Sequence, residues 1–161
     1  MLLSSDGLTT TLLESRIGRR AHVHRAEHSR TTAAAGPPGA AALLRMTARD
    51  ELLVRGSVLA TDDGRALSVN HVVARTDVPG ADRCLTDDRT PLGFALHAAG
   101  TGFRRTVLDV GLRPWPEDPG RPAAFKTYLL WHEDVPAVAI GELFHPDVIS
   151  AELGVAPAGA R

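Results

Sequence analysis

Two charged residues stand where strand alternation would place apolar ones, and they carry the strongest chemical signal in the chain. Arg55 lies in the run Glu51–Ala60, where Leu53, Arg55, Ser57 and Leu59 share one face and Leu52, Val54, Gly56, Val58 and Ala60 the other. An arginine so placed either follows its own aliphatic stem out to water or aims a guanidinium into a pocket to grip a carboxylate. Glu142 shares a strand face with Val138, Ile140 and Phe144. Burial on such a stripe disfavours the ionised form and raises the pKa, which keeps a proton available for general-acid work. The alternative is a strand-end glutamate that escapes to solvent beside His145-Pro146.

Other reactive residue types give weaker patterns. His22, His24 and His28 alternate onto one face, but no cysteine or carboxylate joins them, so a solvated face is preferred to a metal site. Arg104-Arg105 reads as a surface pair of which one member can serve an anionic ligand. Cys84 has no evident base partner and reads as structural. There is no glycine-rich phosphate loop, no dinucleotide fingerprint and no Gly-x-Ser-x-Gly elbow, which leaves cofactor-free chemistry or plain binding.

The elements that must position these residues are mostly strands. Glu51–Ala60 and Ala66–Arg75 flank Asp62-Asp63-Gly64-Arg65, and Asp-Gly between β-rich runs is a strong hairpin signal. Upstream, 8–15 reads as a short helix, 20–28 as a strand, and 29–39 as a loop broken by Gly36-Pro37-Pro38-Gly39. Downstream come one helical turn at 81–85 and a helix from Thr90-Pro91-Leu92-Gly93 to about Ala99. A strand at 104–110, a Pro/Gly-rich loop at 111–122 holding Trp115, and a hairpin of 126–131 and 136–144 follow. The sum is an α+β single domain over 1–149 on an antiparallel sheet of about six strands, with a frayed tail at 150–161.

Length and composition bound the partners. One domain is expected of 161 residues, with 43% hydrophobic and 23% charged residues typical of a soluble globular protein. A net charge of −1 from 18 basic and 19 acidic residues gives no electrostatic case for nucleic acid or anionic membrane. The single cysteine excludes an internal disulfide and suits a cytoplasmic setting. The opening Met1-Leu2-Leu3-Ser4-Ser5-Asp6 is too short and polar for a signal peptide, and no apolar run reaches membrane-spanning length.

Taken in order, several short blocks resemble the chorismate lyase-like family. They are Leu2-Leu3-Ser4-Ser5-Asp6-Gly7-Leu8-Thr9 with Leu12-Leu13-Glu14, Leu53-Val54-Arg55 and its hairpin, Thr90-Pro91-Leu92-Gly93, Phe103-Arg104-Arg105, and Gly141-Glu142-Leu143-Phe144-His145-Pro146. The resemblance covers about 2–148, and the opening is closer to the actinobacterial branch than to the ubiquinone-pathway enzymes. It implies a six-stranded antiparallel sheet with helical flaps over a buried pocket. It also implies a carbon–oxygen lyase that eliminates pyruvate from chorismate to leave 4-hydroxybenzoate, without metal or cofactor.

Carried over by position, the resemblance implies that Arg55 pairs with the ring carboxylate, helped by the backbone N–H groups of Leu8 and Leu92 on the two flaps. Glu142 would then sit by the ether oxygen that becomes the phenol. A position that is arginine in some lyases falls near Asn70-His71, so the cation for the second carboxylate is sought among His71, Arg75, Arg104 and Arg105. The expected partner is a small aromatic or cyclohexadienyl carboxylate, with no nucleic acid and no membrane, bound by a monomer or weak homo-oligomer. Two other functions share the implied fold. One is a family member acting on another small carboxylated ring or polyketide-like acid in secondary metabolism. The other is a non-catalytic small-molecule-sensing domain of the kind attached to bacterial transcription regulators. Such sensors normally follow a winged-helix domain, and none precedes residue 1, so this reading is placed last.

Overall fold

The turn between the second and third strands sets the frame. Gly64 takes a left-handed φ of 82°, which glycine adopts without a Cβ clash, and its N–H donates to the Thr61 carbonyl at 2.8 Å. The two strands it joins begin and end where alternation predicts, at Glu51–Ala60 and Ala66–Arg75. The computed structural model describes residues 9–100 and 103–154. In chain order the elements are α1 (Thr9–Ile17), β1 (His22–Thr32), α2 (Ala40–Leu43), β2 (Glu51–Ala60), β3 (Ala66–Arg75), α3 (Ala81–Thr86), α4 (Leu92–Ala98), β4 (Arg104–Trp115), β5 (Asp118–His132) and β6 (Val135–Phe144). A 3₁₀ turn at Ala151–Gly154 follows.

The strands form one six-stranded sheet in the order β1-β2-β3-β6-β5-β4, antiparallel throughout. The α+β architecture expected from sequence is therefore the observed one. Each face buries an apolar set. Leu53, Ala74, Val138 and Leu130, one from each of four neighbouring strands, form a buried cluster with Ala81 and Leu85 of α3 and Leu96 of α4. At the other end of the same face, Leu59 and Phe144 pack with Leu13 of α1. The reverse face packs Leu52, Val73 and Leu129 with Ala40 of α2 and the adjacent Leu44. Burial on both faces explains why the central strands read as near-continuous apolar runs.

Several elements depart from the expectation, α2 and the 3₁₀ turn at Ala151–Gly154 among them, neither of which the sequence reading placed. β1 runs to Thr32 through Ser29, Arg30 and Thr31, which were expected to be loop, because its backbone stays paired with β2 as far as Thr32 opposite Glu51. A register shift between Val23 and Arg25 places a bulge at His24, so the three histidines do not alternate as a plain strand would have them. β4 and β5 continue through 111–122, expected to be loop, with Pro114 facing Pro122 near the turn of a long hairpin. Gly111 lies inside β4 because the Phe125 ring of β5 lies over it, where an added Cβ would come within 2.8 Å of Cε1.

Candidate functional site

The sheet register brings four polar side chains into one row across the face covered by α1 and α4. Ser57 faces Asn70, Asn70 faces Glu142, and Glu142 faces Lys126, each on the next strand. The flanking rows are largely apolar, with Val72 and Ile140 on one side and Leu59 and Phe144 on the other, so Asn70, Glu142 and Lys126 are buried. Above it is a cavity of about 550 Å³. Ser57, Asn70, Val72, Ile140, Glu142 and Tyr128 line its sheet side, Thr9 and Thr10 of α1 and Leu92 and Leu96 of α4 its roof, and Phe103 and Arg105 one wall. That volume falls in the usual range for a small-molecule site.

Glu142 is 9% exposed, so the strand-end escape to solvent does not occur. Its Oε2 accepts a 2.9 Å hydrogen bond from the Thr9 hydroxyl. Burial pushes its pKa above the ordinary 4.5; the Thr9 hydrogen bond, the Lys126 and Arg105 charges and the Tyr128 hydroxyl pull the other way. Tyr128 is held well above the usual phenol range, first by its own burial and then by the Glu142 carboxylate. The Arg105 guanidinium lies 4.3 Å from the centre of the Tyr128 ring, a cation–π contact that fixes it at the wall of the cavity. Lys126 is fully buried, with Nζ 5.3 Å from the same ring centre.

Arg55 is 1% exposed, which rules out the path along its stem to water. It shares the cavity face, but α3 covers it, and it is not among the residues that line the cavity. Nη1 donates to the Cys84 and Leu85 carbonyls at 3.2 and 3.3 Å. Nε and Nη2 are buried and have no hydrogen-bond partner among the described residues. Burial lowers its pKa, opposed by the charges of Asp88 and Asp87.

Of the other expected site residues, Leu92 lies in the roof and Arg105 in the wall. His71 does not join them. It is one residue past Asn70 on β3, so alternation turns it to the reverse face, where it is exposed. Arg104 is likewise exposed and stacks on Trp131, 4.7 Å from its ring centre, with Arg45 5.2 Å from the same centre. Arg75 is committed to Asp77 and the Leu44 carbonyl. The expected flap contact at Leu8 lies outside the described residues. Among the described residues no group of three or more His, Cys, Asp or Glu is placed to hold a metal ion. His22 instead faces Asp62 and His28 faces Asp88.

Sequence reasoning missed Thr9, Ser57, Lys126 and Tyr128. Lys126 and Tyr128 lie in the expected strand 126–131, but it is the register shift between Leu130 and Trp131 that sets them opposite Glu142 and Ile140, and the sequence does not show it. Thr9 reaches Glu142 across a separation of 133 residues and leaves no local signal.

No protein-family model matches the chain, and no curated protein does. Solved structures do. PhnF from Mycobacterium smegmatis superposes with a TM-score of 0.70 at 19% identity, over 91% of this chain and 67% of that one. The isolated effector domain of the same protein gives 0.63 at 19% identity, over 88% and 90%. The C-terminal domain of the histidine utilization repressor from Pseudomonas syringae pv. tomato gives 0.58 at 14% identity, over 88% and 98%. The chain thus spans about two thirds of a full-length regulator and nearly all of an effector domain. The shared fold is the chorismate lyase-like fold, and the ligand-binding domain of a GntR-family regulator from Bordetella bronchiseptica has it too.

These neighbours correct the expected enzyme family. The blocks that resemble chorismate lyases, such as Thr90-Pro91-Leu92-Gly93 and Gly141-Glu142, build the flap and floor of the pocket, and regulator domains have that scaffold too. Fold does not fix function. The expected carbon–oxygen lyase is set aside, with chorismate, 4-hydroxybenzoate, pyruvate and the biosynthetic role that went with it. Among the described residues no helix is long and apolar enough to cross a membrane.

Proposed function

We propose that this chain is a small-molecule-sensing domain, working in the cytoplasm and coupled to a DNA-binding unit in the same or another polypeptide. Residues 1–149 form the sensor, and 150–161 its tail. The ligand is a small carboxylate held between the sheet and the α1 and α4 flaps. The observation that supports this most is the cavity: about 550 Å³, roofed by two helices, with Arg105 and Glu142 both in its walls. A guanidinium in a partly dry site favours a carboxylate, because charge-assisted pairing strengthens where water is excluded. Arg55, one strand row away with two unmatched nitrogens, supplies a second cation if α3 yields.

The test is thermal unfolding of the full chain with benzoate, cyclohexanecarboxylate and hexanoate. A ligand at about 100 times its Kd stabilises by about 2.7 kcal/mol, or roughly 5–10 °C for a domain of this size. No shift with any of the acids would remove the sensing of small carboxylates. A shift that survives both Arg105→Ala and Arg55→Ala would remove the carboxylate-binding role of these two residues.

A further inference from the structure

The polar row in the cavity floor holds one buried acceptor without a donor among the described residues, and that bears on the ligand. Asn70 is 9% exposed and sits in the middle of the row, between Ser57 and Glu142. Its Oδ1 is buried and accepts no hydrogen bond among the described residues. Buried carbonyl oxygens are nearly always paired, so one left open in the floor of a cavity calls for an explanation. Neither row neighbour is bonded to it: Ser57 and Glu142 stand on either side, yet Oδ1 has no partner among the described residues, and Oε2 of Glu142 is already engaged by the Thr9 hydroxyl. A plain hydrocarbon group placed here would leave Oδ1 unpaired, with the desolvation cost unrelieved.

We infer that Asn70, together with Glu142, reads a hydrogen-bond donor on the ligand, so that the effector is a small acid bearing a hydroxyl or ammonium group away from its carboxylate. This rests on the sensing reading above and narrows it. The acid group faces the arginine wall, and the donor end drops between Asn70 Oδ1 and the Glu142 carboxyl. Asn70 is then the specificity-determining residue, because sites built to hydrogen-bond a donor reject analogues that lack it far more strongly than apolar pockets reject an extra group.

The experiment is titration calorimetry of the full chain with benzoate, 4-hydroxybenzoate and 4-(aminomethyl)benzoate, repeated on Asn70→Leu and Asn70→Asp. In the parent, one or both donor-bearing acids should bind about tenfold or more tighter than benzoate, and which of them does so separates a hydroxyl from an ammonium. Asn70→Leu should bring the three acids within about threefold of one another, while Asn70→Asp, which keeps the acceptor, should retain the preference. If Asn70→Leu does not fold, as read by circular dichroism, Asn70→Ala gives the same comparison. Equal binding of all three acids by the parent overturns the inference and leaves the sensing reading standing. A preference that persists in Asn70→Leu or Asn70→Ala also overturns it. Binding of none of the acids removes both.

Discussion

Thr9, at the first position of α1, donates its hydroxyl hydrogen to Oε2 of Glu142 on β6 at 2.9 Å, joining two residues 133 apart in sequence. The bond ties the flap nearest the start of the chain to the centre of the cavity floor. Both partners are buried, so the bond acts in a medium of low dielectric where a hydrogen bond to a carboxyl is stronger than in water. A ligand group that displaced Thr9 from Oε2 would couple occupancy of the cavity to the position of α1.

Thr9→Val keeps the shape of the side chain and removes its donor. The folded protein should lose about 1–2 kcal/mol, since Glu142 is left with one fewer partner in a buried setting. Backbone hydrogen exchange across 9–17 should speed up relative to β2 and β3. Exchange in α1 that matches the parent would show that Leu13 and its apolar neighbours hold the flap without this bond.

Glu142 should make stability fall with rising pH. Its folded pKa is raised above the ordinary 4.5 by burial, while in the unfolded chain it returns to about the ordinary glutamate value. The folded state therefore prefers the protonated form, a contribution fully present below the unfolded pKa and lost as pH rises through the folded one. Glu142→Gln does not titrate. Urea midpoints of both proteins from pH 4 to 8 should show the parent losing ground to the variant as pH increases. A difference that stays flat, or runs the other way, would mean that Lys126 and Arg105 compensate the charge fully.

Much of the frame is legible in the sequence where the determinants are local. The β2–β3 hairpin was placed to the residue by Asp63-Gly64 and period-two alternation, and the face shared by Ile140, Glu142 and Phe144 follows from the same rule. What failed depended on partners distant in sequence. Pairing with β2 carries β1 through Ser29–Thr32, and pairing with β5 carries β4 through a stretch whose prolines and glycines locally favour a loop. His71 was a candidate beside Asn70, but a one-residue step in a strand changes the face, and only the β3–β6 register settles which of the two looks into the cavity. The enzyme reading failed for another reason. Its motifs lie on the flap and floor that catalytic and sensing proteins of this fold have in common.

Gly111→Ala tests the long β4–β5 hairpin directly. The new Cβ would lie 2.8 Å from Cε1 and 3.3 Å from Cζ of Phe125, so the ring must move. That ring also carries the Arg113 guanidinium at 4.0 Å from its centre. Overpacking of this kind costs about 1–3 kcal/mol, to be read as a lowered melting temperature. An unchanged melting temperature would show that the ring gives way freely.

Arg55→Met should separate binding from stability, with opposite signs. The guanidinium is 1% exposed, Nε and Nη2 have no hydrogen-bond partner among the described residues, and Nη1 makes two long bonds to the Cys84 and Leu85 carbonyls. Burial already pulls its pKa down against the attraction of Asp88 and Asp87. Methionine fills a similar volume without polar atoms, and replacing poorly compensated buried charge by apolar groups is often neutral or stabilising by about 1–4 kcal/mol. The variant should therefore unfold at equal or higher urea concentration than the parent. A variant that is no less stable would mean that the guanidinium serves binding rather than the fold. If it binds the ligand carboxylate, benzoate affinity should fall by about 2–5 kcal/mol, the loss seen when one partner of a buried charge pair is truncated. Arg55→Lys should fall nearly as far, because an ammonium cannot replace the planar fork. An Arg55→Met protein that is clearly less stable yet binds benzoate like the parent would make Arg55 a brace for the end of α3, leaving Arg105 to carry the anion alone.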